Sequence, residues 1–241
     1  MSGKDASTPV GKWVTEYPRT ARVFEEFKID YCCGGGKSLT EVCKAKQLDA
    51  DAVLTRLSNM IIEPNDDSQP DWSQVSLTSL CDHIESTHHA FLKTELPRLT
   101  QIVEKVAKVH GDNYPELKRV RDAFAELRAE LEPHMFKEER ILFPAIRQLE
   151  QSDSRPQFPF GSVANPIRMM EHEHDIAGNA LKRIRENTFD FEVPVHACNT
   201  WRVMLNDLPL LESDLHQHIH KENNILFPKA QQLEAKAQSL E

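Results

Sequence analysis

The chain has 241 residues, 39% of them hydrophobic and 28% charged, a balance that places it among folded globular proteins rather than disordered ones. Lys and Arg number 29 against 38 Asp and Glu, and the net charge of -9 excludes the basic surface that a nucleic-acid partner or an anionic membrane requires. No stretch reads as a signal peptide or a membrane span, so the expected location is cytoplasmic. Only 8 glycines are present, three of them together at Gly34, Gly35 and Gly36, which favours helices over a turn-rich β fold. The 5 cysteines are an odd number in no disulfide framework and are expected to be thiols. The 11 histidines are the count whose positions matter most.

In chain order, Pro18 is expected to open a first helix carrying Val23, Phe24 and Phe27, followed by a turn from Ile29 to Lys37. Ser38-Leu39-Thr40-Glu41 has the form of a capping box for a second helix. Asp49 or Asp51 caps a third that runs to about Met60. Residues 62–73 are polar, contain two prolines and lack periodicity, which reads as a linker. It divides the chain into a small helical module over 1–64 and a larger domain over 73–241. Three short helices make a marginal core alone, so the module is expected to dock on a larger surface.

The larger domain repeats itself. Leu117, Val120, Phe124, Leu127 and Leu131 lead with alternating steps of three and four to His134, Glu138 and Ile141. An offset of 84 reproduces the series as Trp201, Met204, Leu208, Leu211, Leu215, His218, Glu222 and Ile225. Both copies end in Leu-Phe-Pro, at 142–144 and 226–228, where Pro is expected to stop the helix. An offset of 85 relates His89 and the following Leu92, Leu96 and Leu99 to His174, Ala177, Leu181 and Ile184. Helices are therefore expected over 73–109, 115–143, 166–187 and 196–227, with kinks at Pro97, Pro133 and Pro209. The fold class is all-α: an antiparallel four-helix bundle with a small N-terminal helical module.

Six polar side chains fall on the apolar stripe, where an uncompensated charge costs several kcal/mol. His134 with Glu138 and His218 with Glu222 each aim two donors inward from one helix face, and His89 and His174 add one imidazole each. Four imidazoles and two carboxylates suit two ions rather than one. With both carboxylates bridging, each metal receives two nitrogens and two oxygens and keeps room for a further ligand. That donor set favours iron over zinc, with manganese as the alternative. His88 competes with His89, because Leu77, Cys81 and Ile84 upstream favour it, whereas the downstream repeat favours His89. His216 and His220 lie off the stripe and are expected to be exposed, and His83, His110, His172 and His196 default to the surface. Glu130, Glu173 and Asp214 stand close enough in sequence to orient ligands or relay protons. Cys43, Cys81 and Cys198 are read as buried small residues.

These residues have a familiar pattern. His89, His134-x-x-x-Glu138, Glu173-His174-Asp175, His218-x-x-x-Glu222 and the two Leu-Phe-Pro segments resemble hemerythrin-like di-iron domains. The N-terminal Phe-Lys-Ile-Asp-Tyr-Cys-Cys-Gly-Gly-Gly-Lys-Ser-Leu resembles the ScdA-type module that precedes such a domain in the repair-of-iron-centres (RIC) di-iron protein family, of YtfE/ScdA type. The resemblance implies a metal site of His89, His134, Glu138, His174, His218 and Glu222. It implies as cofactor two non-haem Fe ions with oxo and carboxylate bridges. It also implies repair of iron–sulfur clusters damaged by nitrosative or oxidative stress, through iron donation or NO binding. Oxygen-carrying hemerythrins use five histidines with a Glu and an Asp; here no fifth ligand histidine is placed and both bridging candidates are Glu, which argues against simple oxygen carriage. Cys32 and Cys33, beside the three glycines, are expected in an open turn where thiolates reach a metal, an iron–nitrosyl or a partner thiol. Expected partners are damaged iron–sulfur proteins and NO or O2, with no nucleic acid and no membrane; a homodimer is one candidate assembly, and the sequence does not fix the oligomeric state. The rival functions are a NO- or O2-binding sensor and a nitric oxide reductase. All use the same six ligands, and no catalytic residue is assigned.

Overall fold

The computed structural model describes residues 5–62, 71–152 and 156–238. Most of the expected linker, 63–70, lies outside the described residues. The N-terminal module holds α1 (Val10–Glu16), a 3-10 turn (Pro18–Thr20), α2 (Ala21–Glu26), α3 (Leu39–Lys46) and α4 (Ala50–Ile62). The helix before Pro18 was not expected from the sequence, and Pro18 opens only the single turn between α1 and α2. The capping box forms as read: the Ser38 hydroxyl accepts from the Glu41 amide at 3.2 Å, and the Glu41 carboxylate accepts from the Ser38 amide at 2.8 Å. Asp49, not Asp51, caps α4, its carboxylate accepting the amides of Asp51 and Ala52 at 3.0 and 3.3 Å. Val10, Trp13, Phe24, Tyr31, Leu39 and Leu57 form a separate small core.

The larger part is an antiparallel bundle of four rods. The first is α5 (Leu77–His83), a π-turn (Ile84–His89) and α6 (Ala90–His110). The second is α7 (Glu116–Lys137), a π-turn (Glu138–Leu142) and α8 (Phe143–Gln151). The third is the uninterrupted α9 (Ala164–Asn187), and the fourth is α10 (Asn199–Lys221), a π-turn (Glu222–Leu226) and α11 (Phe227–Gln238). Pro97, Pro133 and Pro209 lie inside α6, α7 and α10, which run on through them. Among the described residues, no helix is long and apolar enough to cross a membrane.

The Leu-Phe-Pro segments do not stop their helices. Each proline stands in the first turn of the helix that succeeds a π-turn. Proline lacks an amide hydrogen and crowds the carbonyl four residues back. A π-turn shifts the register there to i→i−5, so the missing donor and the ring are accommodated without a break. The repeat does not equalise burial at every stripe position: Ile225 is buried, but its mate Ile141, expected on the stripe, is 45% exposed, although both stand in π-turns.

Among the described residues, the apolar core of the bundle comes in two clusters. Leu92, Leu131, Ala177 and Leu215 belong to one, and Ile84, Leu142, Met170 and Ile225 to the other. On every rod, a polar layer separates the two. Within the module, Ser38→Ala removes one half of the capping box and is expected to cost about 1 kcal/mol of stability, measured as a lowered denaturant midpoint at unchanged m-value.

Candidate metal centre

The polar layer is made of the six residues that interrupt the stripe. His89, His134, Glu138, His174, His218 and Glu222 are each at most 1% exposed. His89 ends the first π-turn, and Glu138 and Glu222 begin the second and third, so half of the site's donors stand where the helix register changes. The wider π-turn alters the side-chain direction, and the two inward carboxylates come directly after α7 and α10.

Inward-facing atoms converge closely. His89 Nε2 and His134 Nε2 each lie 3.3 Å from Glu138 Oε2. His174 Nε2 stands 3.1 Å from Glu222 Oε2 and 3.2 Å from His134 Nε2, and His218 Nε2 lies 3.0 Å from Glu222 Oε1. Two overlapping sets result: His89, His218, Glu138 and Glu222, and His134, His174, Glu138 and Glu222, with ligand atoms within 4.8 Å of one another in each. Both carboxylates are common to the two sets.

The residues fit two metal ions on a second ground. His89 Nε2, both oxygens of Glu138 and Glu222 Oε2 are buried without a hydrogen-bond partner. Buried carboxylate oxygens left so are costly unless a cation meets them. Burial works to raise the pKa of Glu138, and Glu222 adds to this, but His134 and His89 bring the net shift downward. For Glu222, burial is likewise outweighed, chiefly by His174. Burial works to lower the pKa of His134, but Glu138, then Glu173 and Glu222, push it up to about 10. A site that draws a proton onto a buried imidazole is one that attracts cations. Mixed nitrogen and carboxylate donors, with both carboxylates shared, fit two iron ions.

The outer imidazole nitrogens show what the sequence hid. His134 Nδ1 donates to Glu173 at 2.9 Å, and Lys137 pairs with the same carboxylate. His89 Nδ1 donates to Glu139 at 2.8 Å, and His174 Nδ1 to the Asn223 side-chain oxygen at 2.8 Å. Glu139 and Asn223 were not singled out from the sequence, although each is the next residue after a stripe carboxylate and the two share a repeat position. Of the three acidic residues that were, Glu173 orients a histidine and Asp214 accepts from His88 Nδ1 at 2.8 Å, not from its neighbour His218. Glu130 is half-buried and stands apart from these contacts.

His89, not His88, joins the cluster, but His88 is also buried, with Nε2 accepting from Lys221 at 2.9 Å and its ring stacked on His218 at 5.3 Å. His220 is buried too, against expectation, because the N-terminal module covers it: Thr15 Oγ1 and the Tyr31 carbonyl each lie 3.4 Å away. His216 is half-buried under the Tyr31 ring. His172 and His196 are exposed as expected, whereas His83 and His110 are half-buried. Cys43 and Cys81 are buried as expected, but Cys198 is exposed and lies 3.3 Å from His110.

The Cys32–Cys33 loop is not an open turn. Asp30 accepts the amides of Cys32, Cys33 and Gly34 at 3.0, 3.0 and 2.9 Å. Cys32 is buried, and the adjoining Cys33 sulfur and burial hold its thiol well above the usual range, so it is a protonated thiol and not a thiolate. Cys33 is half-buried, and its Sγ lies 4.0 Å from where a Cβ on Gly178 would stand, one turn beyond His174. Asn224 grips the loop, donating to the Cys32 carbonyl at 3.0 Å. Gly35 is required there: a Cβ at that position would lie 2.3 Å from the Asn224 oxygen and 2.7 Å from the Tyr31 carbonyl.

The hemerythrin HHE cation-binding domain model matches residues 82–230, which hold all six residues of the polar layer. The chain belongs to this family. The ScdA N-terminal domain, of unknown function, matches residues 6–60. Proteins named iron-sulfur cluster repair protein YtfE are similar over 92% of this chain: 38% identical in Enterobacter sp. (strain 638), over 96% of that protein, and 37% in Escherichia coli O157:H7, also over 96%. The counterpart from Dickeya chrysanthemi is 38% identical over 95% of its length. With 92% of this chain covered, the similarity runs through both matched segments.

The cluster rests on aromatic walls in repeat register. The Phe143 ring stacks on His89 at 5.8 Å and the Phe227 ring on His174 at 6.0 Å. Phe143→Ala, at a fully buried position, is expected to cost about 3–5 kcal/mol in chemical denaturation of the full-length protein.

Proposed function

We propose that the chain is a di-iron protein that restores damaged iron–sulfur clusters by supplying iron. The observation that carries the reading is the pair of overlapping donor sets sharing Glu138 and Glu222. The names of the relatives support the biological role. His89 and His218 would hold one iron and His134 and His174 the other, with Glu138 and Glu222 available to both. When bound, the irons supply exchangeable metal and an open position for a small ligand such as NO or O2.

The chain's own residues set the terms of that exchange. Four histidines present Nε2 to the metals while three of them are oriented through Nδ1 by Glu139, Glu173 and Asn223. Two carboxylates neutralise only part of the charge of two irons, so the site binds less tenaciously than a four-carboxylate cage would. Burial of all six excludes bulk water from the donors. The targets are damaged iron–sulfur proteins in the cytoplasm, and the working division of the chain is a module over 1–64 and a metal-carrying bundle over 73–241. Cys33, the less buried thiol of the pair and the one facing Gly178, is placed to meet a partner where the module covers the bundle.

Metal analysis with visible absorption and Mössbauer spectra tests the reading, on wild type and His134→Ala. Two irons per chain with the signature of a coupled pair are expected in the wild type, with one iron or fewer in the variant. Mixing the loaded protein with an apo iron–sulfur protein should then move iron to the acceptor. Zinc in place of iron, or retention of both irons in that mixture, would overturn the proposal.

A further inference from the structure

The repeat that builds the site is broken around it, and the break falls on one metal position. Three residues surround His134: Glu173 accepts from its Nδ1, Lys137 pairs with Glu173, and Glu138 stands one turn on. The repeat mates of His134, Lys137 and Glu138 are His218, Lys221 and Glu222, and the mate of Glu173 is His88. The structure keeps the geometry of that correspondence. Lys221 pairs with His88 at 2.9 Å, as Lys137 does with Glu173, and His88 lies against His218. The chemistry is not kept. Where His134 meets a carboxylate, His218 meets the face of a parallel imidazole, and His218 Nδ1 is buried without a hydrogen-bond partner.

A ligand histidine whose outer N–H donates to a carboxylate is a more basic and better oriented donor, and loss of such a partner typically weakens metal binding by about 10–100-fold. His218 lacks that support. The buried Lys221 amine is turned to His88, the ring stacked on His218, and brings His218 no acceptor. The other three histidines each have an acceptor, two of them carboxylates and one the Asn223 amide.

From this we infer that the two iron positions are unequal: the His89–His218 position is the labile one, and His88 makes it so. The inference rests on the di-iron, iron-supplying reading above and names the position that serves as cargo, while His134 and His174 keep the resident iron. His88 is a positioning residue. It touches neither iron and acts by withholding from His218 the carboxylate that Glu173 gives His134.

Full-length protein loaded anaerobically with two Fe(II) and challenged with a chromogenic ferrous chelator tests this through release kinetics, independently of repair activity. Two phases of one iron each are expected, about tenfold or more apart. His88→Glu recreates the Lys137–Glu173 arrangement opposite Lys221 and should slow the fast phase about tenfold while leaving the slow one unchanged. His88→Gln, whose amide oxygen accepts without adding charge, should slow the same phase by less and guards against a folding defect in the first variant. Glu173→Gln should accelerate the slow phase alone. Loss of both irons in a single phase, or an effect of His88→Glu on the slow phase, would overturn the assignment and leave the di-iron reading standing. Failure of the wild type to bind two irons would overturn both.

Discussion

Two ionised carboxylates, Glu138 and Glu222, stand completely buried at the centre of a helical bundle, and the rest of the molecule is arranged around that fact. Desolvating such a pair is expensive, and their proximity adds repulsion. The structure answers with four imidazoles at 3.0 to 3.3 Å and with the capacity for two cations. Because ligands of this kind must be deprotonated and assembled before metal is held, binding free energy is also folding free energy. The apolar core of the bundle is therefore two clusters with a polar layer between them, held by these contacts and able to gain from the cations it binds.

The register of the helices serves the same constraint. A regular α-helix places i and i+4 on one face, which brings His134 near Glu138 and His218 near Glu222. Continuing that helix would carry Leu-Phe-Pro into a clash at the proline. The π-turns after Lys137 and Lys221 resolve both demands, because one extra residue per turn absorbs the proline and swings Phe143 and Phe227 against His89 and His174. The segment after each ligand pair thus supplies an apolar wall to a ligand histidine of another rod.

Much of this was legible in the sequence, for a definable reason. A repeat preserves the positions that share an environment, so all six buried donors and most of the stripe could be found by offset. The π-turns could not, since the apolar spacing of three and four continues up to them and a proline ordinarily signals an end. His220 was misplaced because its burial depends on Thr15 and Tyr31, more than 180 residues away in the chain. Periodicity within one helix cannot register a cover supplied by another module. Glu139 and Asn223 were available to the repeat comparison, but unlike residue types at equivalent positions conceal an equivalent role.

Those unlike residues bear on the protein's purpose. If the two halves of the site had remained alike, Glu173 would face a glutamate mate, every outer imidazole nitrogen would have a carboxylate acceptor, and both irons would be held alike and tightly. Instead the repeat keeps its six inward donors and changes the residues behind them: Asn223 for Glu139, His88 for Glu173, a buried Lys221 pairing with an imidazole rather than an anion. Substitutions behind the ligands leave the capacity for two metals intact and weaken retention on one side. A storage cage gains nothing from such a difference. A protein that gives metal away while keeping its polar layer partly neutralised needs one position that stays occupied and one that does not.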